Sequence, residues 1–187
     1  SGFTIGTYFE YLDDLNLGLA TSNYYEKIET DSTASARQKS QAGNYWDSFI
    51  NLNFDYDKRN QKFETSEGFR SRYLIDLPII SKTNSLTNTL NYQYYTELYE
   101  NNISNFSIYL KAVDSITNDD VKLSERIFLP SNKLRGFERG KVGPKDGDDF
   151  IGGNYATAIN FSTSLPQLLE NSQNVDFIAF LDIANIW

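Results

Sequence analysis

The sequence predicts an all-β fold, an antiparallel transmembrane β-barrel segment of about eight strands, and three observations carry that reading. Apolar and polar residues alternate with period two through most of the 187 residues. The polar half of the alternation is rich in Asn, Ser, Thr, Ala and Gly rather than Lys and Glu. There is no convincing helical period and no run of about 18 apolar residues, which excludes a membrane helix but not a membrane strand, which needs only about 10 alternating residues.

The first strand places Phe3, Ile5, Thr7, Phe9 and Tyr11 on one face and Thr4, Gly6, Tyr8 and Glu10 on the other. After Asp13-Asp14 a second run sets Leu17, Leu19, Thr21 and Tyr25 against Gly18, Ala20, Ser22 and Glu26, so the pair reads as a hairpin. Residues 30–44, rich in Ser, Thr, Ala and Gln, read as a long mobile loop. Alternation resumes with Trp46, Ile50, Leu52, Phe54 and Tyr56 against Asp47, Asn51, Asn53 and Asp55. The next run opposes Phe69, Tyr73, Ile75 and Leu77 to Arg70, Arg72 and Asp76, and Pro78, which lacks a ladder N–H, is expected to end it. Two more follow: Leu86, Leu90, Tyr92, Tyr94 and Leu98 against Thr87, Thr89, Asn91, Gln93 and Glu97, then Phe106, Ile108, Leu110 and Ala112 against Asn105, Ser107, Tyr109 and Lys111. A long non-periodic segment covers residues 115–151. Beyond it Tyr155 to Leu165 alternates most cleanly, and Val175 to Trp187 puts Phe177, Leu181 and Ile183 opposite Phe180, Asp182 and Ala184.

Two architectures fit such strands. A soluble β-sandwich points its apolar face inward and carries charge outside. A membrane barrel points that face at lipid, gathers Tyr and Trp at strand ends, and lines its lumen with small polar residues. The small, uncharged polar face favours the barrel. Connectors that alternate sides would put those near residues 13–14, 58–62, 100–104 and 166–174 at one end, and those at 30–44, 78–85 and 115–151 at the other. Both very long loops then share an end, as barrels with short periplasmic turns require.

Composition removes most enzyme chemistry. The chain has neither His nor Cys, so an imidazole-activated nucleophile, thiolate chemistry and the usual zinc ligands are unavailable. No cofactor is expected. A net charge of −8 argues against a general nucleic-acid binder. Lys145-Asp146-Gly147-Asp148-Asp149 lacks the ligand spacing of a calcium loop, so no metal is expected there. Arg70, Arg72, Asp47, Asp55 and Asp76 read as charge pairs along the lumen wall. The chain opens on Ser1 with no readable signal peptide, which is the expectation for a piece of a longer protein.

One loop stretch stands apart. Leu134-Arg135-Gly136-Phe137 sets an arginine on a glycine hinge beside a large ring, in a segment without period, so a specific anionic partner is expected for it. Arg135-Gly136-Phe137, Val142-Gly143-Pro144, Gly152-Gly153-Asn154 and Phe180-Leu181-Asp182-Ile183-Ala184-Asn185-Ile186-Trp187 form an ordered series. This series resembles the BamA family of outer-membrane assembly factors, within the bacterial surface antigen superfamily, strongly over residues 124–187 and only in strand-and-loop rhythm upstream.

The resemblance implies that residues 1–187 are the middle of a C-terminal barrel in the bacterial outer membrane, with the POTRA domains and the first and last barrel strands lying elsewhere. It implies a role in assembling and inserting other outer-membrane proteins. Its partners would be outer-membrane lipid, unfolded outer-membrane protein clients and accessory assembly lipoproteins. The long loop would fold inward, and Arg135 would pair with Asp182, which the alternation independently sets on the polar face. Gly136 would let the backbone tuck against the wall, and Gly152 and Gly153 would serve as a bend or a contact. Two positions depart from the family pattern: Ala184 replaces a usual Gly, and Ser162 stands where relatives commonly carry an acid that helps hold the arginine. Two other readings remain: a two-partner-secretion or translocation-type relative exporting a passenger, and a soluble β-sandwich binding module.

Overall fold

The structure, a computed structural model, describes residues 1–99, 101–117, 119–165 and 177–187. Its strands are β1 (Gly2–Leu12), β2 (Leu15–Ile28), β3 (Gly43–Asp57), β4 (Gly68–Ile80), β5 (Ser85–Tyr99) and β6 (Asn102–Ser115), a small hairpin of β7 (Lys145–Asp146) and β8 (Asp149–Phe150), then β9 (Tyr155–Ser164) and β10 (Ile178–Ile186). Eight of them form one antiparallel sheet in the order β1-β2-β3-β4-β5-β6-β9-β10. Sequence neighbours pair throughout, except that the chain leaves β6 for the long loop and returns beside it as β9. The sheet is not closed among the described residues: β1 and β10 are its two edges.

The alternation expresses itself as two unlike faces. The outward one exposes large apolar groups such as Ile5, Leu19, Leu181 and Ile183, which only a lipid surround makes favourable over so wide an area. Aromatics gather at both margins. Near the short-turn end Tyr56 meets Phe69 edge to face and Phe69 stacks on Tyr92, while Tyr155 on Trp187 and the cross-strand pair Tyr25 and Trp46 mark the other. β2, β3 and β5 run 14, 15 and 15 residues, beyond the ~9–11 needed to cross a bilayer at a tilt, so their ends reach past its apolar layer.

The buried apolar core lies on the inward face, under the long loop. Val121, Ile127 and Leu129 of the loop pack with Tyr109, Val113, Ala156, Ala158 and Ile186 of the wall, and Leu134, Val142 and Ala184 lean on the same cluster. The small side chains of β9 and β10 thus leave the volume that the loop fills.

The connectors alternate between the two ends of the antiparallel sheet. Arg37 pairs with Asp120, the Gln41 side chain accepts from the Leu123 N–H at 2.7 Å, and Thr83 Oγ1 donates to Glu125 at 3.0 Å, so the two very long connectors and the short β4–β5 connector meet at one end. At the other, Lys58 reaches Asp14 at 2.7 Å.

Several expectations are corrected. The stretch 30–44 is not all loop, because Ala36–Ser40 forms a helix, α1, closed by a capping box between Ser35 and Gln38. Pro78 does not end its strand. The ladder to β5 already stops at Asp76 and that to β3 shifts at Ser48/Phe49, so the missing N–H falls where pairing is interrupted, and β4 runs on to Ile80. The connector after β3 spans residues 58–67 and is ordered by Asn60, whose side chain accepts from the N–H groups of Gln61, Ser66 and Glu67. Glu100, the 166–174 connector and residues 175–176 of the last expected run lie outside the described residues.

Candidate functional site

Asp182 and Phe180 sit two residues apart on β10 and therefore share its inward face. The loop delivers Arg135 to both. Arg135 Nε lies 2.7 Å from Asp182 Oδ2 and Nη2 lies 2.6 Å from Oδ1, a two-pronged guanidinium–carboxylate pair. The Arg135 backbone N–H adds a third bond to Oδ2 at 2.9 Å. The guanidinium carbon also stands 3.8 Å over the Phe180 ring centre, a favourable place for a cation. Asp182 is 2% exposed at its side chain against 33% for Arg135, so it is the carboxylate that has lost its water and needs the partner.

Asn160, directly across from Asp182 on β9, supplies the rest. Its Nδ2 donates to Asp182 Oδ1 at 2.8 Å and to the Lys133 carbonyl at 2.9 Å, joining the loop backbone to the same carboxylate. Ser162 stands across from Phe180, and the support beside the ion pair comes from Asn160 and the ring rather than from a second acid. Lys133 follows the loop inward over the Tyr109 ring at 5.4 Å, where burial lowers its ammonium below the ordinary lysine range.

The other motif residues take distinct places. Gly136 does not abut the wall, since nothing lies within 4 Å of where a Cβ would stand; its φ of +84° is what calls for glycine. Close approach falls instead at Gly153, where a Cβ would come within 2.5 Å of both Ile186 Cγ2 and the Trp187 carbonyl. Gly152 crowds the Phe128 ring, and Gly143 lies against Ile186. Val142 packs on the core cluster, the Pro144 carbonyl accepts from the Ile151 N–H at 3.0 Å, and the Trp187 carbonyl accepts from the N–H groups of Asn154 and Tyr155 at 2.8 and 2.9 Å. Phe137 is 62% exposed and lines a small cleft within the loop together with Leu129, Leu134 and Val142. Lys145–Asp149 is the turn of the β7–β8 hairpin.

The expected wall charges divide. Asp55 holds Arg70 through two bonds of 2.8 and 2.6 Å, has Arg72 at 3.5 Å and accepts from the Tyr8 hydroxyl at 3.0 Å. Asp76 accepts from Asn51 at 2.6 Å instead of pairing with an arginine. Asp47 turns to a loop residue that the sequence had not singled out, Lys122, at 2.7 Å. No periodicity marks a loop lysine; only Asp47 on the polar face hinted that some cation was needed. Burial alone would push the Lys122 ammonium down, but its bonds to Asp47 and Glu26 and the charge of Glu125 hold it above the ordinary lysine range.

The Omp85 superfamily domain matches residues 1–187. Comparison with curated protein sequences returns no match. Among solved structures, BamA from Haemophilus ducreyi lacking POTRA domains 1–3 superposes with a TM-score of 0.76 at 20% identity, over 98% of this chain and 40% of that one. The chain thus has the fold of a BamA barrel fragment and spans about two fifths of the length of the structure it matches.

Proposed function

The chain belongs to the Omp85 superfamily, a family of bacterial outer-membrane barrels for protein insertion and transport, and from that premise we propose that it forms wall and internal loop of a factor that assembles and inserts other outer-membrane proteins. In this reading residues 1–187 are part of a C-terminal barrel whose remaining strands and periplasmic domains lie in the rest of the protein. Its clients are unfolded outer-membrane proteins, accessory lipoproteins attend it, and the work is non-enzymatic. The observation that carries the reading is the grip of Arg135 on Asp182 over Phe180. The latch, with Gly136 giving the turn and the Val142, Gly143, Pro144, Gly152, Gly153 and Trp187 contacts seating the loop behind it, keeps the loop inside the lumen so that the wall holds one curvature while clients engage elsewhere on the barrel.

The test replaces the native full-length gene with Asp182→Asn and with a wild-type control. Loss of many unrelated outer-membrane proteins in the variant is the expected result. Normal levels of all of them with loss of a single secreted passenger would overturn assembly in favour of export.

A further inference from the structure

Outside the latch, the most heavily buried cation among the described residues is Lys122, 1% exposed at its side chain and set where the long loop leaves the sheet. Its Nζ lies 2.7 Å from Asp47 of β3, 3.0 Å from Glu26 of β2 and 3.4 Å from Glu125 of the loop. It also stands 4.6 Å over the Tyr45 ring. Neighbouring contacts fasten the same point: Ser124 Oγ donates to Glu26 at 2.9 Å, the Leu123 N–H donates to Gln41 Oε1 at 2.7 Å, and the Tyr45 hydroxyl donates to the Gln41 carbonyl at 2.7 Å. Asp47, at 0% exposure, cannot be left without its cation at small cost, because a buried carboxylate stripped of its partner keeps the full penalty of lost water.

Asp47 and Asp182 lie on strands far apart in the sheet, with β4, β5, β6 and β9 between β3 and β10. One loop is therefore fixed at residue 122 to one wall and at residue 135 to another. We propose that Lys122 is a second anchor of the loop, and that the segment between Lys122 and Arg135 is a cross-brace tying β3 to β10 through the lumen, so that the spacing of non-adjacent wall strands is held from inside as well as by the hydrogen-bond ladder. The attachment at Lys122 is a matter of this loop and this wall alone and does not depend on what the barrel inserts. Lys122 acts as a positioning residue: it touches no client, and it sets where the loop begins its crossing.

Amide hydrogen exchange on the full-length protein in detergent micelles tests this with three variants, Lys122→Met, Asp47→Asn and Arg135→Ala. Losing the Lys122 anchor is expected to speed exchange at Leu123 and Ile127 on the order of a hundredfold, while the Arg135 amide, bonded to Asp182, keeps its protection. Arg135→Ala is expected to do the reverse, so a failed anchor and a failed latch give different maps. Should Lys122→Met not fold, the near-isosteric Asp47→Asn carries the same expectation at Leu123. In a Lys122→Met background, Asp47→Asn should be neutral or stabilising, since it removes an unpaired carboxylate. Unchanged exchange at Leu123 in both Lys122→Met and Asp47→Asn, or an Asp47→Asn loss of the same size with and without Lys122, overturns the second anchor.

Discussion

Asp182, Phe180 and Arg135 show how a spacing becomes a contact. Two residues apart on a strand means one face, so a carboxylate and an aromatic ring at that interval can meet a single guanidinium from edge and plane at once. Alternation alone put Asp182 on the polar face. What it could not supply was Asn160, whose relevance arises only from the β9–β10 register, or Lys122, whose partners come from three separate parts of the chain. Gly153 and Gly136 differ in kind. Gly153→Ala must displace Ile186 or the Trp187 backbone and is expected to destabilise by about 1–3 kcal/mol as an overpacked contact. Gly136→Ala has open space but a left-handed backbone and should cost about 1–2 kcal/mol. The temperature at which the folded band shifts in a heat series on a denaturing gel reads both. The assignment of causes is checked by pairing each with Ile186→Ala, which should soften only the Gly153 effect.

At the scale of elements, strands were legible and irregular pieces were not. Period two survives in any sheet with two unlike faces, so β2 through β6 and β9 lie where the alternation put them. Pro78 is tolerated within β4 because the rule against proline protects a ladder bond, and at Pro78 the ladder to β5 has already ended. α1 was missed although Ser35 and Gln38 carry a readable cap signal, because a single turn or two offers no period to see. That cap is a local device on the long-connector side. Ser35→Ala is expected to lower the helix's own stability by about 0.5–2 kcal/mol, speeding amide exchange across residues 36–40 while the barrel's unfolding temperature stays the same. A matching fall in that temperature would mean that α1 supports the wall.

For the whole molecule, the order of layers is inverted relative to a soluble domain: apolar side chains face outward, and the buried core is the contact between the loop and the inner face of β6, β9 and β10. The acidic, aromatic-rich composition and the absence of His and Cys fit that inversion, since the structural work falls to ion pairs and small residues within the lumen. The open sheet and the loop lying across it follow from the same residues, and the claim that joins them is that Arg135 and Asp182 hold the loop inside as a single unit. A double-mutant cycle in the full-length barrel measures this directly. Arg135→Ala should reduce the unfolding free energy by about 3–5 kcal/mol, because it leaves the buried Asp182 carboxylate unpaired; Asp182→Ala, which leaves the more exposed Arg135, should cost less, and the double variant should be little worse than Arg135→Ala alone. Losses that simply add would contradict a direct pairing and with it the latch.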